Sequence, residues 1–90
     1  MKTFMVYGIS DCPACLRACA DLMEKQCEYV FVETDFSRSY RQHLKDRYSH
    51  STFPIITILT GAHPQTEWVV GGYDSLVEHL FKECNIEKAI

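Results

Sequence analysis

Apolar residues fall along this chain in short blocks with two different spacings, and the spacings predict seven structural elements. Blocks rich in β-forming apolar residues predict strands over residues 3–7, 28–33, 55–59 and 66–70. Apolar positions at helical spacing predict a helix from Pro13 to about Lys25, a second helix capped by Ser37 or Ser39, and a third helix that follows Ser75. The predicted order is therefore β-α-β-α-β-β-α.

The same spacing predicts one apolar stripe for each helix. The stripes of the first two helices are Leu16, Cys19, Ala20 and Met23, then Tyr40, Leu44 and Tyr48. The last helix is expected to bury Leu76, Val77, Leu80, Phe81 and Cys84. Ser75-x-x-Glu78 predicts a capping box, and residues 61–64 predict the turn of a hairpin.

These elements predict the architecture of the domain. Two strands that flank a helix of this length form a parallel pair with a right-handed crossover. With the hairpin and the closing helix, they predict one α/β domain over residues 1–90, in which helices cover both faces of a four-stranded mixed sheet. Residues after the first strand then lie at the carboxyl end of a parallel strand, where ligands gather in open α/β sheets.

Composition and charge narrow the class of protein. A net charge of −3 and the lack of a basic run argue against nucleic acid as a partner. No apolar stretch approaches the roughly 18 residues of a membrane span, and the apolar start of the chain is too short for a signal peptide. Five cysteines, an odd number, favour a reducing compartment, the cytoplasm. There Cys19, Cys27 and Cys84 would be reduced and would act as small apolar groups.

One pair of cysteines carries the most specific chemistry in the chain. Cys12 and Cys15 are separated by two residues, as Cys12-Pro13-Ala14-Cys15, between the first strand and the first helix. A helix N-terminus favours a thiolate, and a second thiol within reach can resolve a mixed disulfide. The alternatives are half of a structural zinc site and two unrelated core cysteines, but the second pair of ligands that a zinc site requires is missing from the sequence. The pair therefore favours redox chemistry.

Two further motifs complete a recognisable set. Thr52-Phe53-Pro54 precedes the third strand, and Gly71-Gly72-Tyr73-Asp74 precedes the last helix. With the cysteine pair, in this order and over nearly the whole chain, they resemble a dithiol glutaredoxin of the thioredoxin-like superfamily. The resemblance implies a thioredoxin-like fold, thiol–disulfide oxidoreductase activity in electron transport, and glutathione as co-substrate, with no metal.

The resemblance also implies roles for the cysteines and for the proline segment. Cys12 matches the nucleophile, and Cys15 matches the resolving cysteine. Thr52-Phe53-Pro54 matches the family's Thr-Val-Pro segment, whose proline is cis and lies across from the nucleophile. The residue before that proline offers backbone hydrogen bonds to the cysteine of glutathione. On the residues alone, Pro54 could equally be an ordinary proline at the start of a strand.

Further implied roles concern the two ends of glutathione. Gly71, Gly72, Tyr73 and Asp74 match the segment that holds the γ-glutamyl end, where glycines allow close approach and a helix N-terminus binds a carboxylate. Asp74 could pair with the ligand's ammonium group, cap the helix, or do both. Arg41 stands where the family often has a residue that contacts the glycyl carboxylate, with a solvated helix face as the alternative.

Two positions depart from the family pattern. Ala14 stands where many glutaredoxins have Tyr or Phe, and this change removes a wall of the glutathione groove. Ile9 stands where many have Lys. Both changes favour a protein disulfide as substrate, as in redoxins that serve ribonucleotide reductase. Some phage redoxins also share Tyr7-Gly8 before the cysteine motif and an aromatic residue with Asp after the glycine pair.

Two other functions stay open on the sequence. A thioredoxin-like protein-disulfide reductase would draw electrons from a thioredoxin-type reductase, although thioredoxin has Trp before its first cysteine, where this chain has Asp11. A non-catalytic module could carry an iron–sulfur cluster on Cys12 and glutathione. Pro13, however, resembles the forms that do not usually assemble such a cluster.

Overall fold

The elements follow the predicted order along the chain. The computed structural model describes residues 2–61 and 66–89, with the backbone alone for residues 83–89. The strands are β1 (Lys2–Gly8), β2 (Tyr29–Glu33), β3 (Ile55–Thr60) and β4 (Thr66–Gly71), and the helices are α1 (Pro13–Glu24), α2 (Arg38–Arg47) and α3 (Tyr73–Ala89). Of the turn predicted at 61–64, only Gly61 belongs to the described residues. No helix in the described part of the chain is both long enough and apolar enough to cross a membrane.

The four strands form one mixed sheet in the order β2-β1-β3-β4. β1 pairs with β2 in parallel, with Val6 opposite Phe31, and β3 pairs antiparallel with β1. β4 returns antiparallel to β3, with an irregular register between Ile56 and Thr57. The predicted four-stranded mixed sheet is therefore confirmed.

Helices cover both faces of the sheet because the central strands carry apolar side chains on both sides. Successive residues of a strand point to opposite faces. One buried cluster joins the strands to α1 and α3 and contains Phe4, Val6, Ala18, Leu22, Ile56, Ile58, Leu76 and Leu80. A second cluster on the opposite face joins Tyr7 and Ile55 to Leu44 of α2. The predicted arrangement of helices is confirmed.

A partly buried carboxylate on β4 ties α2 to the sheet. Glu67 Oε2 accepts hydrogen bonds from the Tyr48 hydroxyl at 2.8 Å and from the Thr57 hydroxyl at 3.1 Å. Arg47 lies 3.6 Å from the other oxygen of the same carboxylate. Burial, followed by the bond to Glu67, raises the pKa of Tyr48, so its hydroxyl stays a donor. The network thereby satisfies Thr57, which is fully buried.

The buried face of α1 differs from the predicted stripe. Cys15, Ala18 and Leu22 are fully buried, whereas Leu16 and Met23 are 61% and 65% exposed. Both sets have helical spacing, because apolar residues occupy most of the circumference of this helix. Packing against β1 and β2 selects the first set, which the spacing alone could not do.

The last helix also buries a narrower face than predicted. Leu76 and Leu80 are buried, whereas Val77 and Phe81 are exposed. The side chain of Cys84 lies outside the described residues. The expectation for Val77 and Phe81 is wrong because neighbours cover only one side of α3, where β3, β4 and α1 lie.

The starts of α2 and α3 resolve the predicted caps. Ser37 caps α2, because its hydroxyl accepts the Tyr40 N–H at 3.1 Å. The capping box at Ser75 is wrong, since α3 begins two residues earlier, at Tyr73. The Gly72 carbonyl accepts the Leu76 N–H at 3.1 Å, which makes Gly72 the residue at the helix boundary.

Replacing Leu22 by Ala tests the corrected face of α1. The substitution removes a fully buried side chain and should lower the free energy of unfolding by about 2–5 kcal/mol. Met23→Ala is the matched control on the exposed side, and we expect a change within about 0.5 kcal/mol. Urea unfolding followed by circular dichroism measures both values. A larger loss for Met23→Ala than for Leu22→Ala would show that the face is assigned incorrectly.

Candidate active site

The sheet topology brings every predicted site segment to one edge. The carboxyl ends of β1 and β2 meet there because these strands are parallel. β3 begins at the same edge because it is antiparallel to β1, and β4 ends there because it is antiparallel to β3. The cysteine pair, the proline segment and the glycine pair are therefore neighbours in space.

Cys12 and Cys15 form a disulfide at the start of α1, with their Cα atoms 5.2 Å apart. Cys12 is the N-cap residue, in an extended conformation, and Pro13 occupies the first helical position. The Cys15 N–H donates to the Cys12 sulfur at 3.1 Å. Cys15 is fully buried, whereas Cys12 is partly exposed, so the prediction that Cys12 is the more exposed sulfur is confirmed.

The buried sulfur packs directly on the end of β1. A Cβ atom added at Gly8 would lie 2.6 Å from the Cys15 sulfur and 3.1 Å from the ring of Phe31. Real Cβ atoms do not approach other atoms so closely, so only glycine allows α1 to start this near the strand.

Hydrogen bonds join the loop after β1 to the loop after β2 at this edge of the sheet. The Asp35 carboxylate accepts the Ser10 N–H at 2.9 Å and the hydroxyl of the same residue. Both the N–H and the hydroxyl of Thr34 donate to the Gly8 carbonyl at 2.9 Å. The bonds from Ser10 lower the pKa of Asp35, so its carboxylate is charged at neutral pH. The segment that leads to Cys12 is thus attached to the loop after β2.

The peptide between Phe53 and Pro54 is cis, as predicted. Pro54 is buried, and the Phe53 carbonyl oxygen lies 4.0 Å from the Cys12 sulfur. The ring of Phe53 points to the other face of the sheet, where it packs against the α2 cluster beneath Lys45. The backbone of this segment, rather than its side chain, therefore faces the cysteine pair.

A cleft of about 340 Å³ opens beside the cysteine pair. It is lined by Ala14, His50, Thr52, Phe53, Pro54, Gly72, Tyr73, Asp74 and Ser75. Six of these residues were predicted as substrate-binding residues. Their grouping beside Cys12 agrees with the predicted roles, which remain predictions.

Other predicted residues lie next to this cleft or away from it. Gly71 has φ of +120°, a conformation that favours glycine, and it does not line the cleft. Arg41 Nη1 donates to the carbonyls of Thr34 and Asp35 at 2.7 and 2.8 Å. Arg41 is therefore held against the loop after β2, and its contact with a glycyl carboxylate stays a prediction.

Asp74 is exposed in the first turn of α3. Because α3 begins at Tyr73, the alternative in which Asp74 caps this helix is wrong. A carboxylate at this position is available to a ligand and interacts favourably with the helix dipole. The Tyr73 hydroxyl donates to Asp21 of α1 at 2.8 Å and fixes the start of α3.

His50 and Ser75 are lining residues that the sequence patterns did not identify as site residues. The Nε2 atom of His50 lies 3.4 Å from the Thr52 hydroxyl oxygen and would lie 3.3 Å from a Cβ atom at Gly72. The four histidines show no metal-ligand spacing, so spacing does not distinguish His50 from the others. The available signal was position, because His50 precedes the Thr52-Phe53-Pro54 motif by two residues.

The other described cysteines form no disulfide and pack against the core. Cys19 and Cys27 are half-buried beside the cluster that α1 and α3 form with the sheet. Burial raises the pKa of the Cys19 thiol, which favours the less reactive neutral form. Among the described side chains, no three potential metal ligands are grouped closely enough to hold an ion.

The fold and the cysteine pair define a thioredoxin-like domain suited to thiol–disulfide exchange. The sequence model of the glutaredoxin family matches residues 4–63, two thirds of the chain. The chain therefore belongs to the glutaredoxin family, as its motifs indicate. The solution structure of a glutaredoxin from Brucella melitensis shares the fold, with a TM-score of 0.64 and 24% identity over 96% of this chain and 85% of that chain. No curated protein matches the sequence.

Replacing Asp35 by Asn tests the bond between the two loops. The amide keeps the shape of the side chain but is a weaker acceptor than a carboxylate, so the Ser10 N–H should exchange with solvent faster. The pKa of Asp35 is lowered on folding. Its contribution to the stability of the folded protein is therefore fully present above the ordinary pKa of about 4, and it is lost as the pH falls through the lowered pKa.

Amide hydrogen exchange at Ser10, followed by NMR, measures this effect. Asp46→Asn is the control, since Asp46 is an exposed carboxylate of α2 that accepts from Gln42. Equal Ser10 exchange in the wild type and in Asp35→Asn would contradict the anchoring role of Asp35.

Proposed function

We propose that this protein is a glutathione-linked thiol–disulfide oxidoreductase of the cytoplasm, which reduces mixed and protein disulfides through Cys12 and Cys15. One observation carries the proposal. The partly exposed sulfur of the pair lies beside a cleft that combines a peptide carbonyl, a helix N-terminus and the carboxylate of Asp74. Glutathione, with a thiol between an α-amino-acid end and a carboxylate end, needs groups of these kinds in this arrangement.

Cys12 is the proposed nucleophile because this residue is partly exposed and the Cys15 N–H donates to its sulfur. In the reduced protein this N–H, at the positive end of α1, would stabilise a thiolate. The thiolate attacks the glutathione sulfur of a mixed disulfide, and the substrate leaves as a thiolate that takes a proton from water. A second glutathione thiolate then attacks the Cys12-bound glutathione, which forms oxidised glutathione and restores the Cys12 thiolate.

Cys15 is proposed to act with protein disulfides. Attack by Cys12 on such a disulfide joins the two proteins and releases one substrate thiol. Cys15 then attacks the Cys12 sulfur, releases the second substrate thiol and forms the Cys12–Cys15 disulfide, which is the state that the structure contains. Two glutathione molecules return the pair to the dithiol. The burial of Cys15 suits this role, because its sulfur can bond to that of Cys12 but is shielded from a disulfide in solution.

Glutathione is proposed to lie along the cleft with its cysteine at the Phe53 backbone. The Tyr73 and Asp74 N–H groups and the Asp74 carboxylate would hold its γ-glutamyl end, beside the close-packed glycines Gly71 and Gly72. Arg41 is proposed to hold the glycyl carboxylate. A guanidinium has five N–H groups, and the bonds to the Thr34 and Asp35 carbonyls use those of Nη1.

A protein partner is the second candidate substrate, and Ala14 favours it. Ala14 lines the cleft with a single methyl group, so its side chain blocks little of the space next to the cysteine pair. A protein segment that carries a disulfide could therefore approach Cys12 from this side. Ribonucleotide reductase is one protein substrate that this proposal includes.

The cysteine roles predict different losses in two variants. Cys12→Ser should abolish reduction of all disulfides, because the thiol that remains at the site, that of Cys15, is fully buried. Cys15→Ser should keep reduction of glutathione mixed disulfides and lose reduction of protein disulfides that need the dithiol. Coupled assays with a glutathionylated peptide and with a protein disulfide measure both activities. Cys27→Ser is the control, since Cys27 takes no part in the disulfide and packs against the core. Substantial activity in Cys12→Ser would reject the assignment.

Replacing Arg41 by Ala tests the glycyl end of the cleft. Loss of a charge-assisted hydrogen bond costs about 1.5–3 kcal/mol, so the KM for glutathione should rise about ten-fold or more, with little change in the Cys12 chemistry. Arg38→Ala is the control, because Arg38 is exposed on the same helix. Melting temperatures are needed in parallel, since Arg41 also holds two loop carbonyls. An unchanged KM would exclude the proposed contact.

A further inference from the structure

His50 is held in one position by the end of α2. Ser49 follows the last turn of this helix with φ of +51°, and the His50 N–H donates to the Lys45 carbonyl at 3.1 Å. This hydrogen bond joins residues five positions apart. Together with the left-handed residue before His50, it forms a Schellman motif. The backbone of His50 is thus fixed by the helix end.

The imidazole of His50 lies where the proline segment and the glycine pair come together. Its Nε2 is 3.4 Å from the Thr52 hydroxyl oxygen and would lie 3.3 Å from a Cβ atom added at Gly72. A Cβ atom at position 72 would be a tight contact that the ring could relieve by a shift of a few tenths of an ångström. The ring therefore forms part of the wall of the cleft, next to the boundary of α3.

The charges in this cleft match one kind of ligand group. Of the described residues that line it, Asp74 is the one carboxylate and His50 is the one side chain that can carry a positive charge. Both are neighbours of the Gly72–Tyr73 step at which α3 begins, where N–H groups have no partner within the helix. An α-amino acid carries an ammonium and a carboxylate on one carbon, so it needs an acceptor and a donor in the lining of one cleft.

We propose that His50 is a substrate-binding residue that, with Asp74, recognises the free α-amino-acid group at the γ-glutamyl end of glutathione. Asp74 accepts from the ammonium, and the His50 imidazole donates to the carboxylate alongside the N–H groups of α3. His50 thereby makes the protein select disulfides that carry a γ-glutamyl group. The inference rests on the proposed glutathione-linked function and names the residue that gives this selectivity.

The test compares two substrates that differ only in the γ-glutamyl group. One is a cysteine-containing peptide in mixed disulfide with glutathione, and the other is the same peptide in mixed disulfide with cysteinylglycine. The reduced protein is mixed with each substrate without free glutathione, and the release of the peptide thiol is followed in a single turnover. The dependence on substrate concentration separates the half-saturating concentration from the limiting rate.

We expect His50→Ala to raise the half-saturating concentration of the glutathione substrate about ten-fold or more, the effect of one lost charge-assisted bond. The limiting rate should be nearly unchanged, and the cysteinylglycine substrate should be affected less than about two-fold. His50→Gln keeps a neutral donor and should fall between the wild type and His50→Ala. His43→Ala is the matched control, because His43 stacks on Tyr40 at the other face of the sheet.

Two outcomes would overturn the inference while the proposed function stands. An equal loss with both substrates would show that His50 only supports Thr52 and the fold, and no loss with either would show that it is not used. A wild type that handles both substrates equally would overturn the glutathione-linked function itself, and the role of His50 with it. Melting temperatures of His50→Ala and His50→Gln exclude unfolding as the cause of any change.

Discussion

The contact between Gly8 and the Cys15 sulfur sets the geometry on which the rest of the site depends. Because Gly8 has no Cβ atom, which would collide with this sulfur, α1 can begin directly against the end of β1. Cys15 is thereby fully buried, whereas Cys12, the N-cap of the helix, is partly exposed. The chemical difference between the two cysteines therefore originates in the absence of one methyl group on the neighbouring strand.

The convergence of the site residues could be predicted from the sequence because it depends on strand direction. A parallel β1–β2 pair followed by an antiparallel β3 and β4 places the ends of three strands and the start of the fourth at one edge. The blocks of apolar residues predicted these strands, and the motifs at their ends then had to meet. The cis peptide before Pro54 followed from the resemblance and not from the residues alone.

Features set by the packing of whole elements could not be predicted in this way. Apolar residues surround most of α1, so spacing favoured Met23 where packing buries Leu22. Ser75 and Glu78 have the spacing of a capping box, but the helix starts at Tyr73, whose hydroxyl is bonded to Asp21 of α1. His50 reaches the cleft through the left-handed backbone of Ser49, a conformation that serine adopts infrequently.

The bond between Tyr73 and Asp21 joins positions 52 residues apart in the chain. It connects the βαβ half, which carries the cysteines, to the start of the last helix, which forms the far wall of the cleft. A chain with only its first half folded could hold the cysteine pair but would lack that wall. A ligand of the cleft therefore binds only to the fully folded protein. Its binding free energy adds to the stability of the whole domain. Binding of a ligand in the cleft and folding of the whole domain are for this reason coupled equilibria.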